Sequence, residues 1–300
     1  MKLKFVTLDV FTKERFAGNP LAIVLDADGL STAQMQTIAR EFNLSETIFV
    51  RKPVDAANTA SVRIFFPTAE IPFAGHPTIG CAIFLAEGKY KQGCSFETRI
   101  RLEEVAGLVP VTVSRIGDVP FAMLTAPVVP YAVEAVLPDA DLAARALDLS
   151  AGDIGFGAHG IGLHEGGPRF LYIPVASAQA LARARPMEPY WSQMMAMCGV
   201  DSAYLYRVGE GGADFRARMF SPTAGIYEDP ATGSASALLA WQLLAGGGLK
   251  EGANRFQLEQ GVEMGRPSFI RMEADVAGGK LSAVRIGGHA VRVSEGVIEV

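Results

Sequence analysis

Short runs of β-branched and aromatic residues recur along the chain, and few segments space their apolar residues as a helix would. Lys4–Phe11 reads as a strand ending at Thr12-Lys13-Glu14, and Gly18-Asn19-Pro20 turns into a second at Leu21–Leu25. Thr32–Phe42 sets Met35, Ile38, Ala39 and Phe42 on one face behind Ser31, a candidate N-cap, and so predicts a helix. Strands follow at Thr47–Val50, Val62–Phe66, Phe96–Leu102 and Leu108–Ser114. Pro120–Pro130 reads as a strand with a linker between halves. Later strands are predicted at Arg169–Val175, Phe215–Phe220, Phe256–Glu259, Ser268–Met272, Ala283–Ile286, Ala290–Val293 and Val297–Val300, with helices at Asp139–Leu147, Ala176–Ala184 and Glu188–Cys198.

Two further helical segments break the amphipathic rule. Pro77–Ala86 and Thr232–Leu244 are apolar nearly all round, which suits an enclosed helix. The second opens on small residues, Gly233 to Ala237, against which strand backbones can approach closely. Each half of the chain is therefore expected to be a strongly curved sheet wrapped around a central helix. The class is α+β, because long helices do not alternate regularly with strands.

The two segments follow two copies of one phrase. Arg63-Ile64-Phe65-Phe66-Pro67-Thr68-Ala69-Glu70-Ile71 returns 155 residues later as Arg218-Met219-Phe220-Ser221-Pro222-Thr223-Ala224-Gly225-Ile226. Upstream, Ser45-Glu46-Thr47-Ile48-Phe49 lines up with Ser202-Ala203-Tyr204-Leu205-Tyr206 at an offset of 157, which sets Glu46 against Ala203. Nearly constant offsets imply two halves of similar fold. The period is too long for a solenoid and fits a duplicated domain, with a cleft between the copies as the expected ligand site. The expected division is residues 1–118 with 281–300 as an N-terminal lobe and 119–280 as a C-terminal lobe. The strands after Leu281 lack a partner in the repeat and are expected to return to the first half.

Composition narrows the function classes. In 300 residues, an apolar share of 49% and a charged share of 20% describe a foldable globular chain. A net charge of −5 gives no basic footprint for nucleic acid. No signal peptide or membrane-spanning run is read, so no membrane partner is expected. Cys81, Cys94 and Cys198 are few and widely spaced, which points to a reducing, cytoplasmic setting without a disulfide framework and without zinc-ligand spacing. No metal site is expected.

The candidate chemistry sits at the starts of the two enclosed helices. Unpaired amides and the helix dipole make each an anion site, and Gly75 and Gly233 remove the side chain where a ligand would approach the backbone. Both glycines also fit ordinary turns. Polar groups found in one half only carry more information. Glu46 lies in an otherwise apolar strand start, either as a surface glutamate at a strand edge or as a partly desolvated general acid/base. Asp229 fits a helix cap or a group that orients substrate. His76, just before Pro77, fits a structural N-cap-like group or a proton donor. Ser234 lacks a nucleophile-elbow context, so a hydroxyl donor to a bound anion suits it better than a hydrolase nucleophile. His159, His164 and His289 lie scattered in glycine-rich loops, and Arg63 and Arg218, present in both halves, read as structural.

The chain resembles the phenazine-biosynthesis PhzF-like isomerase family. The resemblance is carried by Asp9-Val10-Phe11-Thr12, Phe16-Ala17-Gly18-Asn19-Pro20, Asn43-Leu44-Ser45-Glu46-Thr47, Pro72-Phe73-Ala74-Gly75-His76-Pro77-Thr78 and Asp229-Pro230-Ala231-Thr232-Gly233-Ser234-Ala235. It implies a diaminopimelate-epimerase-like fold of two pseudo-symmetric domains, each a β-roll or barrel around a central helix, a homodimer, and no cofactor. The family's general acid/base falls on Glu46, its histidine on His76, its aspartate on Asp229 and its anion-binding pair on Gly233 and Ser234. Where related epimerases carry two cysteines, this chain has Ala74 and Thr232, so two-thiol racemisation is not available. The reading is a cofactor-independent isomerase that relocates a proton on a small carboxylate-bearing substrate. A non-catalytic small-molecule binding protein with the same cleft is the alternative.

Overall fold

The protein was analysed as a computed structural model that describes residues 1–91 and 93–300. It divides into two compact units: Met1–Thr125 with Arg266–Phe269 and Gly287–Val300, and Ala126–Gly265 with Ile270–Ile286. The architecture is mixed α+β, in the diaminopimelate-epimerase-like class expected from the sequence.

The first unit holds β1 (Lys2–Val10), β2 (Asn19–Val24), β3 (Glu46–Arg51), β4 (Ala60–Phe65), the short β5 (Glu70–Ile71), β6 (Phe96–Glu104), β7 (Gly107–Arg115) and β8 (Phe121–Thr125). Hydrogen bonding runs β1–β2–β3–β4–β6–β7–β8, and the last strand of the chain, Lys280–Glu299, pairs with both β8 and β1, so eight strands close a barrel. Pairs β2–β3 and β4–β6 are parallel. The helix α2 (Gly75–Glu87) runs inside, packed against β1, β2, β3, β6, β7 and β8, and every residue from Gly75 to Ile83 is buried. Enclosure explains why it is apolar all round. It also explains Gly80, where an added Cβ would lie 2.6 Å from a Leu21 methyl and 2.8 Å from a Val10 methyl. The amphipathic α1 (Thr32–Phe42) lies outside, started by a full capping box between Ser31 and Gln34, with Met35 and Ala39 buried against Leu3, Val24, Phe49 and Phe65.

The second unit repeats the plan. Its strands are β9 (Tyr131–Ala132), β10 (Gly162–Glu165), β11 (Arg169–Pro174), β12 (Ala203–Val208), β13 (Phe215–Ser221), β14 (Ile226–Asp229), β15 (Gly252–Gln260), β16 (Ser268–Ala277) and the first part of β17 (Lys280–Glu299). The helices α3 (Ala140–Ala146), α4 (Ala178–Arg183) and α5 (Tyr190–Cys198) form an outer layer around Trp191, Ile173 and Phe220. The central helix is α6 (Gly233–Ala245), packed against β9, β10 and β11, with the Tyr172 hydroxyl donating to the Ala235 carbonyl at 2.6 Å.

Strand registers make the duplication exact enough to correct one alignment. Thr47 pairs with Phe65 and Ala203 with Phe220, and these two phenylalanines are equivalent in the repeated phrase. Ala203 therefore matches Thr47, and the counterpart of Glu46 is Ser202, not Ala203 as the sequence offset suggested. In a strand a one-residue slip reverses the face on which a side chain lies, so the correction matters. By the same logic Ile64↔Ile71 and Met219↔Asp229 place Asp229 where the first unit has Ile71. Ala60↔Leu102 and Phe215↔Leu258 make Gln260 the counterpart of Glu104.

The chain end differs from expectation. Three strands were predicted after Leu281, interrupted at Gly287-Gly288. The structure has one continuous strand of 20 residues. The glycines serve close approach: a Cβ at Gly287 would sit 2.7 Å from the Ala122 carbonyl oxygen, and one at Gly288 would sit 2.3 Å from the Phe11 ring. From Ala290 to Glu299 this strand pairs with β1, as a return to the first half requires.

Candidate functional site

In the first unit, β3 begins at Glu46, which lies beside Leu21 of β2 in the parallel pair. The carboxyl is buried, 7% exposed, so the alternative of a surface glutamate is not what the fold shows. His76 is in the opening turn of α2, which starts at Gly75, two residues before the proline that was read as the first helical position. Its Nε2 lies 3.4 Å from Glu46 Oε2. Burial drives the His76 pKa down to about 3 against the smaller opposing pull of a hydrogen bond to the Pro20 backbone. The imidazole is therefore neutral at neutral pH.

In the second unit, Asp229 ends β14 and is 5% exposed. Its Oδ2 accepts a 2.6 Å bond from the Thr232 hydroxyl. Gln260 completes the arrangement: Nε2 donates to the Asp229 carbonyl at 2.8 Å and to Thr232 Oγ1 at 3.0 Å, and Oε1 accepts from the Thr232 amide at 3.1 Å. Thr232 is the N-cap of α6, and no side-chain cap bond forms there. Gly233 and Ser234 are the first two residues of α6 and Ser234 is half-buried, so amides of the opening turn remain available to an anion, as they do at Gly75, where the N-cap Ala74 has no capping side chain.

Sequence reading passed over Glu104, Thr78 and Gln260. The Thr78 hydroxyl lies 2.7 Å from the Ala74 carbonyl oxygen and 2.6 Å from Glu104 Oε1, all buried at the start of α2. Burial raises the Glu104 pKa to about 8. Strand periodicity held the signal: Glu104 falls on the same face as Ile100 and Leu102, and Gln260 on that of Leu258. Of the scattered histidines, His164 Nε2 meets Gln242 of α6 at 2.5 Å, and His159 Nδ1 meets the Tyr206 hydroxyl at 2.9 Å. Both serve the interior of the second unit. Among the described residues no group of three or more His, Cys, Asp and Glu side chains could hold a metal ion, and no helix is long and apolar enough to cross a membrane.

Comparison with known proteins settles the family. The PhzC-PhzF model, described as phenazine biosynthesis-like protein, matches residues 8–296. The chain belongs to the PhzC-PhzF family. An uncharacterized isomerase of Mesorhizobium japonicum is 43% identical over 97% of both chains. The trans-2,3-dihydro-3-hydroxyanthranilate isomerase of Pseudomonas aeruginosa is 34% identical over 98% of both. The crystal structure of a PhzF-family phenazine biosynthesis protein from Bacillus anthracis shares the fold, with a TM-score of 0.87 over the full length of both chains at 24% identity. Membership makes this PhzC-PhzF protein an enzyme of an isomerase family.

Proposed function

We propose that this protein is a cofactor-independent isomerase that moves a proton between carbons of a small carboxylate-bearing substrate, with Glu46 as the general acid/base. The observation that carries the reading is the buried Glu46–His76 pair at the start of an enclosed helix. A neutral imidazole whose ring N–H is spent on the Pro20 backbone offers a lone pair at Nε2, 3.4 Å from Glu46 Oε2, which can accept a hydrogen bond from the proton that Glu46 carries between carbons. Glu46 takes a proton from carbon and returns it at another carbon. His76 tunes that carboxyl, and Asp229, held by Thr232, orients the substrate. The amides at Gly75–His76 and Gly233–Ser234, with the Ser234 hydroxyl, hold the carboxylate and the charge that develops on proton removal.

The 34% identical relatives named for trans-2,3-dihydro-3-hydroxyanthranilate, itself a ring carboxylate, support this substrate class. The same reading carries a homodimer in the cytoplasm, with no nucleic-acid or membrane partner. The test follows conversion of trans-2,3-dihydro-3-hydroxyanthranilate and related small acids in heavy water by NMR. Substrate labelled with deuterium at the donor carbon is expected to carry that label to the new carbon position, less whatever Glu46 exchanges with solvent before the return, and unlabelled substrate in heavy water is expected to gain the complementary share. Isomerisation in which the donor-carbon label neither moves to the new position nor is lost to solvent, or binding with no turnover of any acid tried, would reject the reading in favour of another mechanism or of a binding protein.

A further inference from the structure

Glu104 is a buried carboxyl that the proposed chemistry does not use. Its partner is the Thr78 hydroxyl, which carries one proton and stands at hydrogen-bond distance from two oxygens, the Ala74 carbonyl and Glu104 Oε1. The carbonyl can only accept. If Thr78 donates there, as a helical threonine commonly does to the residue four positions back, the proton between Thr78 and Glu104 must come from the carboxyl. The other carboxyl oxygen, Oε2, has no hydrogen-bond partner among the described residues, an arrangement far costlier for a carboxylate than for a neutral acid. The second unit supports the same conclusion independently. At the equivalent strand position it has Gln260, a neutral isostere whose Nε2 donates to a threonine hydroxyl at the start of the central helix.

We propose that Glu104 is a neutral carboxylic acid that donates to Thr78 and so sets the opening turn of α2, a positioning residue for the Gly75–His76 end of that helix. The titratable group facing it on α2 is the Cys81 thiol, whose pKa burial and the Glu104 carboxyl both raise. Desolvation by burial is the main influence on its pKa, and the Thr78 hydrogen bond opposes it. Loss of the proton on passing about pH 8 leaves two acceptors competing for the Thr78 hydrogen.

The sign of the stability effect follows. The folded pKa is raised above the ordinary 4.5, so the stability linked to the Glu104 proton is complete below about 4.5 and is lost as pH rises to about 8. Two measurements on the full chain test this without any substrate. Infrared spectra are expected to show a protonated carboxyl band at about pH 6 that shifts in heavy water, titrates away near pH 8 and is missing from Glu104→Gln. Amide resonances of Gly75, His76 and Thr78 are expected to titrate with the same midpoint in the native protein and not in Glu104→Gln, whose urea midpoint also loses its decline between about pH 4.5 and about pH 8. A native spectrum at about pH 6 without that band overturns the proposal, as do urea profiles of the native and Glu104→Gln proteins that stay parallel. Neither result touches the role of Glu46, which deuterium incorporation tests separately.

Discussion

The starts of α2 and α6 are the same structure carrying different chemistry. Both helices have 13 residues, both open on glycine, and both begin above a polar side chain from the end of an inward-facing strand position, Glu104 in one and Gln260 in the other. The differences concentrate where a ligand would meet the backbone. By strand register the counterpart of Glu46 is a serine and that of Asp229 an isoleucine, and by helix start the counterpart of His76 is Ser234. Positions that hold the backbone have kept their type across the duplication, whereas positions that offer a proton or a charge have not. An apolar Ile71 and a buried Asp229 in one scaffold position argue that the aspartate is not needed to form the strand.

Replacing the one-sided groups should break this contrast most strongly. Glu46→Gln keeps the volume and removes the proton, so kcat is expected to fall by about two to four powers of ten with the fold intact, as circular dichroism would verify. Retained turnover would transfer the acid/base role elsewhere. The repeated arginines supply the next effect. Arg218 is buried, pairs with Glu228 through two nitrogens, and donates to the carbonyls of Leu181, Ala182 and Ala184. Arg218→Met should cost about 3–5 kcal/mol in urea unfolding, because Glu228 and three carbonyls lose their partner. Thr78→Val, nearly isosteric, should cost about 1–3 kcal/mol by leaving the Ala74 carbonyl and Glu104 without the hydroxyl. Arg63→Met should cost about 1 kcal/mol or less, since that guanidinium is partly exposed where it pairs with Glu70 and Thr32 and lies over the Phe65 ring. Equal losses for Arg63 and Arg218 would mean that the two copies bear their load alike.

Much of this was legible before any coordinates. The two enclosed helices declared themselves by lacking a polar face, and Ser31 marked the start of α1 to the residue. A desolvated Glu46 was one of two readings of a polar residue set in apolar company, whereas burial of Asp229, between Glu228 and Pro230, left no mark in its neighbours. What escaped were matters of register and of tertiary contact. The offset of Glu46 against its counterpart was misread by one because Ser45 and Ser202 are chemically alike, and only hydrogen-bonded pairing separates them. Gly287-Gly288 looked like a break because a sequence does not show what packs against a missing side chain. Glu104 fell just outside a strand expected to end at Leu102, because its burial depends on a helix that arrives from elsewhere in the chain. Gly162–Glu165, read as loop, is a strand because Arg169–Glu165 and Gly162–Tyr172 pair across a short hairpin.

The closing strand has a consequence for how the protein is made. Lys2 pairs with Glu299 and Val10 with Ala290, so the barrel begun by the first ten residues is finished by the last ten. During synthesis the amino-terminal half waits with an open seam on β1 and β8 until Gly287–Glu299 has been made, although the second half can begin to fold beforehand. Chains made without Ala290–Glu299 should therefore fail first at β1, the strand farthest from the loss in sequence.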